Sequence, residues 1–122
     1  MEERSFYRTS LLKRLHENGC RLREEEILSA FSYNLDKYNQ EADGIAILTK
    51  SELILWEGTA VKESYALSSI DKFVFRVDIG SVAVECLWKE NNKPYIFCRG
   101  SMEHQKIFGH MVNKYNLFLE KG

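Results

Sequence analysis

Residues 44–58 read GIAILTKSELILWEG, and the folding of this stretch decides the architecture. Two apolar runs, Ile45–Leu48 and Leu53–Trp56, flank a polar break, and Gly44 and Gly58 bound the whole. Each run is too short for a stable helix. The pattern predicts two antiparallel strands, 44–49 and 52–57, joined through Lys50-Ser51. Ile45, Ile47, Leu53 and Leu55 are expected on one inward face, with Ala46, Leu48, Ile54 and Trp56 on the other. A hairpin apolar on both faces needs two covers, and the N-terminal helix is the candidate for the second. If that helix packs elsewhere, Ile54 and Trp56 become an exposed patch for a partner.

Working outward, Phe6–Asn18 carries Phe6, Leu11, Leu12 and Leu15 at helical spacing. Ser5 is its expected N-cap and Gly19 its stop. Glu26–Leu35 alternates apolar and polar residues with aromatics, which reads as a strand, although a helix starting at Glu24 competes. Asp36–Asp43 is polar and reads as a loop. Beyond the hairpin, 61–67, 70–79, 81–89 and 95–99 are strands, with turns at Gly58-Thr-Ala60, Gly80 and Asn91-Asn92. The single proline, Pro94, sits at the first position of the last strand, where it is tolerated. The Asn91-Asn92 turn would set Cys86 opposite Phe97 and Cys98 opposite Glu85, on opposite faces, which argues against a disulfide. Finally Ile107, Phe108, Met111, Val112, Tyr115, Phe118 and Leu119 recur every three or four residues, a wide apolar helical face after a Ser101 cap.

The chain of 122 residues suits one domain able to bury its own core. A hydrophobic share of 44% with 29% charged residues describes an ordinary globular chain, and a net charge of −1 favours neither nucleic acid nor an anionic membrane. Charge is uneven, however. Arg4, Arg8, Lys13, Arg14, Arg21 and Arg23 outnumber Glu2, Glu3 and Glu17 in residues 1–23, before Glu24-Glu-Glu26 reverses the sign. This is either a solvated amphipathic helix beside an acidic turn or a basic face for an acidic partner or lipid headgroups. No apolar run approaches the ~18 residues of a membrane span, and no signal-peptide core follows the first Met. Three cysteines without CxxC spacing point to reduced thiols, hence to the cytoplasm or the cytoplasmic face of the inner membrane.

Motifs for chemistry are sparse. Neither GxxxxGK[ST] nor GxGxxG occurs. Gly100-Ser101 before a helix reads as a turn with a cap rather than an anion site. His104 and His110 lie six apart and point to different faces, and His16 stands near Cys20 across Gly19, so no zinc set forms. No GxSxG or cysteine-nucleophile signature appears. The strand aromatics Phe31, Tyr33, Trp56, Tyr65, Phe73, Phe75, Trp88, Tyr95 and Phe97 have neighbours of mixed charge, so they read as core rather than as a nucleic-acid platform. The expectation is no enzyme, no metal and no cofactor within this chain.

The order helix, about seven strands in hairpin succession, amphipathic helix makes the fold class α+β, mainly β. Residues 44–55 (GIAILTKSELIL) and 65–73 (YALSSIDKF) resemble the pleckstrin-homology-like (PH-like) superfold, including bacterial PH and GRAM-like domains. That likeness implies a bent antiparallel sheet or barrel with a C-terminal capping helix, plus an extra N-terminal helix here. Within one PH-like domain, 1–122, residues 1–23 would be the helical extension, 24–100 the strands and 101–120 the C-terminal helix. The stretches LLKRL (11–15), LREEEIL (22–28), ILTKSELIL (47–55) and CRGSMEHQKIFGHMVNKYNLFLEKG (98–122), with Arg99, Ser101 and Phe108, resemble the N-terminal cytosolic segment of some bacterial ABC exporters. The resemblance implies a non-catalytic accessory or regulatory domain of a transporter, whose ATPase and membrane parts would lie in sequence outside this chain. Its end at Gly122, just past a helix, fits an excised domain and a small complete protein equally. The alternative is a stand-alone PH/GRAM-like module binding a peptide or a membrane surface. Expected partners are other transporter domains, a protein, a membrane surface in weak contact, or a second copy. The candidate interaction surface is Arg8, Lys13, Arg14, Arg21, Arg23, Ile54 and Trp56. Phosphoinositide-binding PH domains carry basic residues around the first hairpin loop, whereas Asp36, Glu41 and Asp43 here outnumber Lys37.

Overall fold

The computed structural model describes residues 8–90 and 93–121, without the side chains of Arg8, Thr9 and Lys121. The expected Ser5 cap, Phe6 and the Asn91-Asn92 turn lie outside the described residues. Helix α1 (Arg8–Glu17) is followed by strands β1 (Ser29–Leu35), β2 (Glu41–Leu48), β3 (Glu52–Glu57) and β4 (Ala60–Ala66). Then come β5 (Ile70–Asp78), β6 (Ser81–Trp88), β7 (Tyr95–Ser101) and helix α2 (Gln105–Lys121). The strands form two antiparallel sheets, β1-β2-β3-β4 and β5-β6-β7. The fold is therefore α+β and mainly β, with a helix at each end of the strand run.

Two cores lie on the two faces of the four-stranded sheet. The inner core joins that sheet to the three-stranded one and receives Phe108, Met111, Val112 and Tyr115 from α2. Aromatic edges order it: Phe73 meets Tyr115 at 5.0 Å and Phe97 at 5.8 Å, both T-shaped. Each such pair is worth ~0.5–1.5 kcal/mol beyond its buried area. The outer core is smaller. Leu11, Leu12 and Leu15 of α1, with Cys20 and Ile27, cover Ile45, Ile47 and Ile54. The N-terminal helix thus supplies the second cover for the two-sided hairpin.

The hairpin's phase differs from the sequence expectation. Ile45 pairs with Trp56 and Ile47 with Ile54, while Ala46 pairs with Leu55 and Leu48 with Leu53. The expected Lys50-Ser51 turn itself dictates this phase, which the expected assignment of faces overlooks. Thr49 N–H donates to the Glu52 carbonyl at 2.9 Å, and Thr49 Oγ1 accepts the Glu52 N–H at 3.1 Å. Setting Thr49 opposite Glu52 aligns odd with even residues along the whole hairpin. Ile45 and Ile47 therefore share the α1 face with Ile54 and Trp56, and Leu53 and Leu55 belong to the inner core.

Three further boundaries moved. Glu24–Glu26 is a short 3-10 turn in which Glu26 accepts both the backbone N–H and the Nε of Arg23, so β1 starts only at Ser29. The Asp36 carboxylate accepts the N–H groups of Tyr38 and Gln40 at 2.8 and 2.9 Å, and Asn39 adopts φ 62°. That Asx turn needs few residues, so β2 begins at Glu41, inside the expected loop. Ser101 makes no side-chain cap; a 3-10 turn, Met102–His104, precedes α2 instead.

The cysteine register is also corrected. Cys86 pairs with Tyr95, and Val84 with Cys98, because an irregularity at Val84/Glu85 gives β7 one extra residue, Phe97. Cys86 and Cys98 therefore share the inner core, and both are free thiols.

Side chains close the gaps between sheets. Asn34 of β1 brackets Arg99 of β7, donating to its carbonyl at 2.6 Å and accepting its N–H at 2.9 Å. Asn116 of α2 does the same to Phe73 of β5, at 2.9 and 2.8 Å. Each amide satisfies one strand-edge peptide as a neighbouring strand would. The Tyr95 hydroxyl adds a bond to the Leu35 carbonyl at 2.7 Å, and the Cys98 thiol one to Ser32 at 3.0 Å.

Candidate functional site

On the inner face of β4, Glu63 and Tyr65 continue the alternation of the strand, opposite Leu55 and Leu53 of β3. Both are half-buried, because the inner core here opens to solvent. Trp88 ends the inner face of β6 in the same way. The β1–β2 turn brings Lys37 and Tyr38 across from them, and Lys93 and Pro94 lead into β7. These segments enclose a cleft of about 760 Å³, with Tyr95 in its lining. A second cavity of about 290 Å³ adjoins it, and Lys37, Tyr38, Glu63 and Tyr95 line both.

Hydrogen bonds fix the polar tips of the aromatic walls. Trp88 Nε1 donates to the Lys93 carbonyl at 3.0 Å. Tyr65 donates its hydroxyl proton to Glu63. Lys37 Nζ reaches the same carboxylate at 2.6 Å and stands 5.5 Å from the centre of the Tyr38 ring. The rings of Tyr65 and Trp88 lie 4.8 Å apart, tilted by 47°.

The charge states follow. Burial alone would raise the Glu63 carboxyl, but its bonds from Lys37 and Tyr65 outweigh that and hold it below the usual carboxylate value. Glu63 in turn raises the Lys37 ammonium. Burial, then the Glu63 charge, pushes the Tyr65 hydroxyl up, and burial does the same to Tyr95. At neutral pH the cleft thus holds an ion pair, neutral phenols and flat ring faces.

β4 is the outer strand of its sheet, and Lys62 is an extra residue between Val61, opposite Trp56, and Glu63, opposite Leu55. A bulge carrying a lysine on an outer strand hinders pairing with another strand.

The sequence-derived surface is only partly assembled. Lys13 and Arg21 are exposed. Arg14 donates to Asp43 at 2.9 Å, and Arg23 pairs with Glu26 at 3.0 Å and Glu25 at 3.5 Å. The side chain of Arg8 lies outside the described residues. Ile54 is 8% exposed beneath α1, so it is closed to partners; the helix that covers the hairpin removes the apolar patch. Trp56 is half-buried at the margin of the same cluster, its Nε1 donating to the Gly58 carbonyl at 2.9 Å.

Sequence reasoning did not single out the cleft. The sequence pattern reads Tyr65, Trp88 and Tyr95 as core aromatics, whereas only Tyr95 is fully buried. The available signal was position, since Trp88 stands at a strand end beside a polar turn.

Among the described residues, no group of three or more His, Cys, Asp or Glu side chains is placed to hold a metal, and no helix is long and apolar enough to cross a membrane. No protein-family model matches the chain, and no curated protein matches it.

Proposed function

We infer that the chain is a non-catalytic PH-like accessory domain of a bacterial ABC transporter of the exporter type. It acts through contacts of its surface with the other transporter domains, a protein partner or the membrane surface. The observation that carries the PH-like part is the four-plus-three antiparallel arrangement, with α2 inserted at one edge of β5 and the inner core between. The transporter part rests on the resemblance of the full-length layout, in which an added N-terminal helix packs outside the first sheet. An antibody against this domain, applied to membrane and soluble fractions of the source cells, tests the reading. The expected result is a membrane-associated polypeptide well above 14.3 kDa. A soluble 14.3 kDa species with no membrane partner would overturn it.

The open cleft supports a second reading, a stand-alone PH/GRAM-like module for a peptide or membrane surface. For the lipid version, vesicles rich in anionic lipid at low salt should retain the protein through Lys13 and Arg21, since basic surface attraction is strongest there. Equal retention by neutral vesicles would exclude it.

A further inference from the structure

We propose that the cleft beside Tyr65 and Trp88 is a binding site for a small planar aromatic anion, an aryl carboxylate, with Lys93 as its counter-charge. This goes beyond the accessory-domain reading and does not depend on it.

Size comes first. At about 760 Å³, the cleft is within the range of small-molecule sites and is far larger than a water pocket. Next is shape. The indole and phenol groups that flank it are already committed at their polar ends, Trp88 to the Lys93 carbonyl and Tyr65 to Glu63. What remains for a ligand is flat apolar ring surface held in fixed orientation, and Tyr38, 72% exposed, adds a third ring at the rim. Tyr65 and Trp88 already touch each other, with ring centres 4.8 Å apart, so a planar guest would stack on their cleft-facing surfaces rather than slot between them.

Charge selects the class. The ammonium of Lys37 is neutralised by Glu63. Lys93 forms no ion pair among the described residues, so it is the uncompensated charge of the cleft lining. A cationic guest would have to displace Lys37 and then sit near Lys93. An uncharged guest would gain nothing from Lys93. A flat anion uses both the ring faces and the ammonium.

The test is calorimetric titration of the full chain with 2-naphthoate, its uncharged twin 2-naphthamide and 2-naphthylmethylammonium. Saturable binding of naphthoate, about tenfold or more tighter than the amide, is expected, with the cation weakest. Lys93→Glu should abolish the preference for naphthoate while leaving naphthamide binding nearly unchanged, because the Trp88 bond uses the Lys93 backbone carbonyl. Tyr38→Ala, at an exposed position, should weaken both ligands severalfold. Lys50→Glu, outside the cleft, should change neither. Absence of saturable naphthoate binding at about millimolar concentration overturns the site. Naphthoate binding no tighter than the amide, or insensitive to Lys93→Glu, overturns the assignment of anion and counter-charge. Unfolding of a variant would show in its circular dichroism, and the three-ligand ranking on the unaltered chain decides the matter without variants.

Discussion

Gly44→Ala should be among the most damaging single-methyl additions in this protein. Tyr33, Gly44 and Glu57 lie in a row across three strands, since Gly44 pairs with Tyr33 on one side and Glu57 on the other. The Tyr33 ring crosses over Gly44 and donates its hydroxyl to Glu57 at 2.6 Å. A Cβ on residue 44 would overlap the ring and lie 2.5 Å from its hydroxyl oxygen. The ring cannot simply swing out, because Tyr33 is 2% exposed and packed in the inner core. Overpacking of this kind costs ~1–3 kcal/mol. Losing the bond to Glu57 adds ~1.5–3 kcal/mol if the carboxylate stays ionised. A total of about 2.5–6 kcal/mol is a large share of the ~5–15 kcal/mol that holds a small domain together. Urea unfolding followed by circular dichroism measures it as a lower midpoint at unchanged slope. The double variant Tyr33→Ala/Gly44→Ala is the sharper check. With the ring gone, Gly44→Ala should cost under about 1 kcal/mol, leaving a coupling of ~2 kcal/mol or more. If Gly44→Ala alone shifts stability by less than about 0.5 kcal/mol, or the two changes add, the ring-over-glycine account is wrong.

Asn116→Ala leaves both polar groups of Phe73 without their partner and should cost ~1–3 kcal/mol in the same urea assay. Asn116→Asp keeps the acceptor but sets a carboxylate against the Phe73 carbonyl, so it should be destabilising at pH 7 and partly rescued on acidification; a pH-independent deficit would refute the bracket. Glu63 has its carboxyl held below its unfolded value, so its contribution is present above about pH 4.5 and is lost as pH falls through the lower folded value. Lys37→Met should remove part of that increment, so the stability gap between it and the unaltered protein should narrow on titration to pH 3. All three thiols are buried, and burial pushes Cys86 up to about 12. A thiol reagent at pH 8 should label none in the native protein and all three in urea; rapid native labelling of Cys86 or Cys98 would contradict their placement in the inner core.

How much of this was legible beforehand depended on whether the signal was local. The α2 stripe from Ile107 to Leu119 was clear because its apolar spacing keeps one period, and every member touches the inner core. The strand succession was clear because Gly58 and Gly80, both at positive φ, punctuate alternating runs. The asparagine brackets were not readable. A lone Asn34 or Asn116 becomes a strand substitute only when a distant peptide arrives beside it. The cleft failed for a related reason. Residues 37–38, 63–65, 88 and 93–95 are each unremarkable, and only tertiary closure puts four rings and an ion pair together. The basic N-terminal surface was visible as composition, yet Asp43 and Glu26 neutralise two of its members, through a tertiary contact and a tight local turn.

The two-sided β2–β3 hairpin has a consequence for how the chain reaches its fold. In most half-exposed hairpins, sliding one strand by a residue turns the apolar set towards water, and that penalty enforces alignment. Here both covers are greasy, so a slide would trade Ile45 and Ile47 against Ala46 and Leu48 without wetting either set. Discrimination then falls to volume and to the turn: an isoleucine does not fit where Gly44 passes under Tyr33, and Thr49 would lose Glu52. Polarity, which sorts most strands early in collapse, is nearly silent at this hairpin. A misaligned hairpin would stay dry here, so side-chain size and the turn, rather than polarity, are what select the native register.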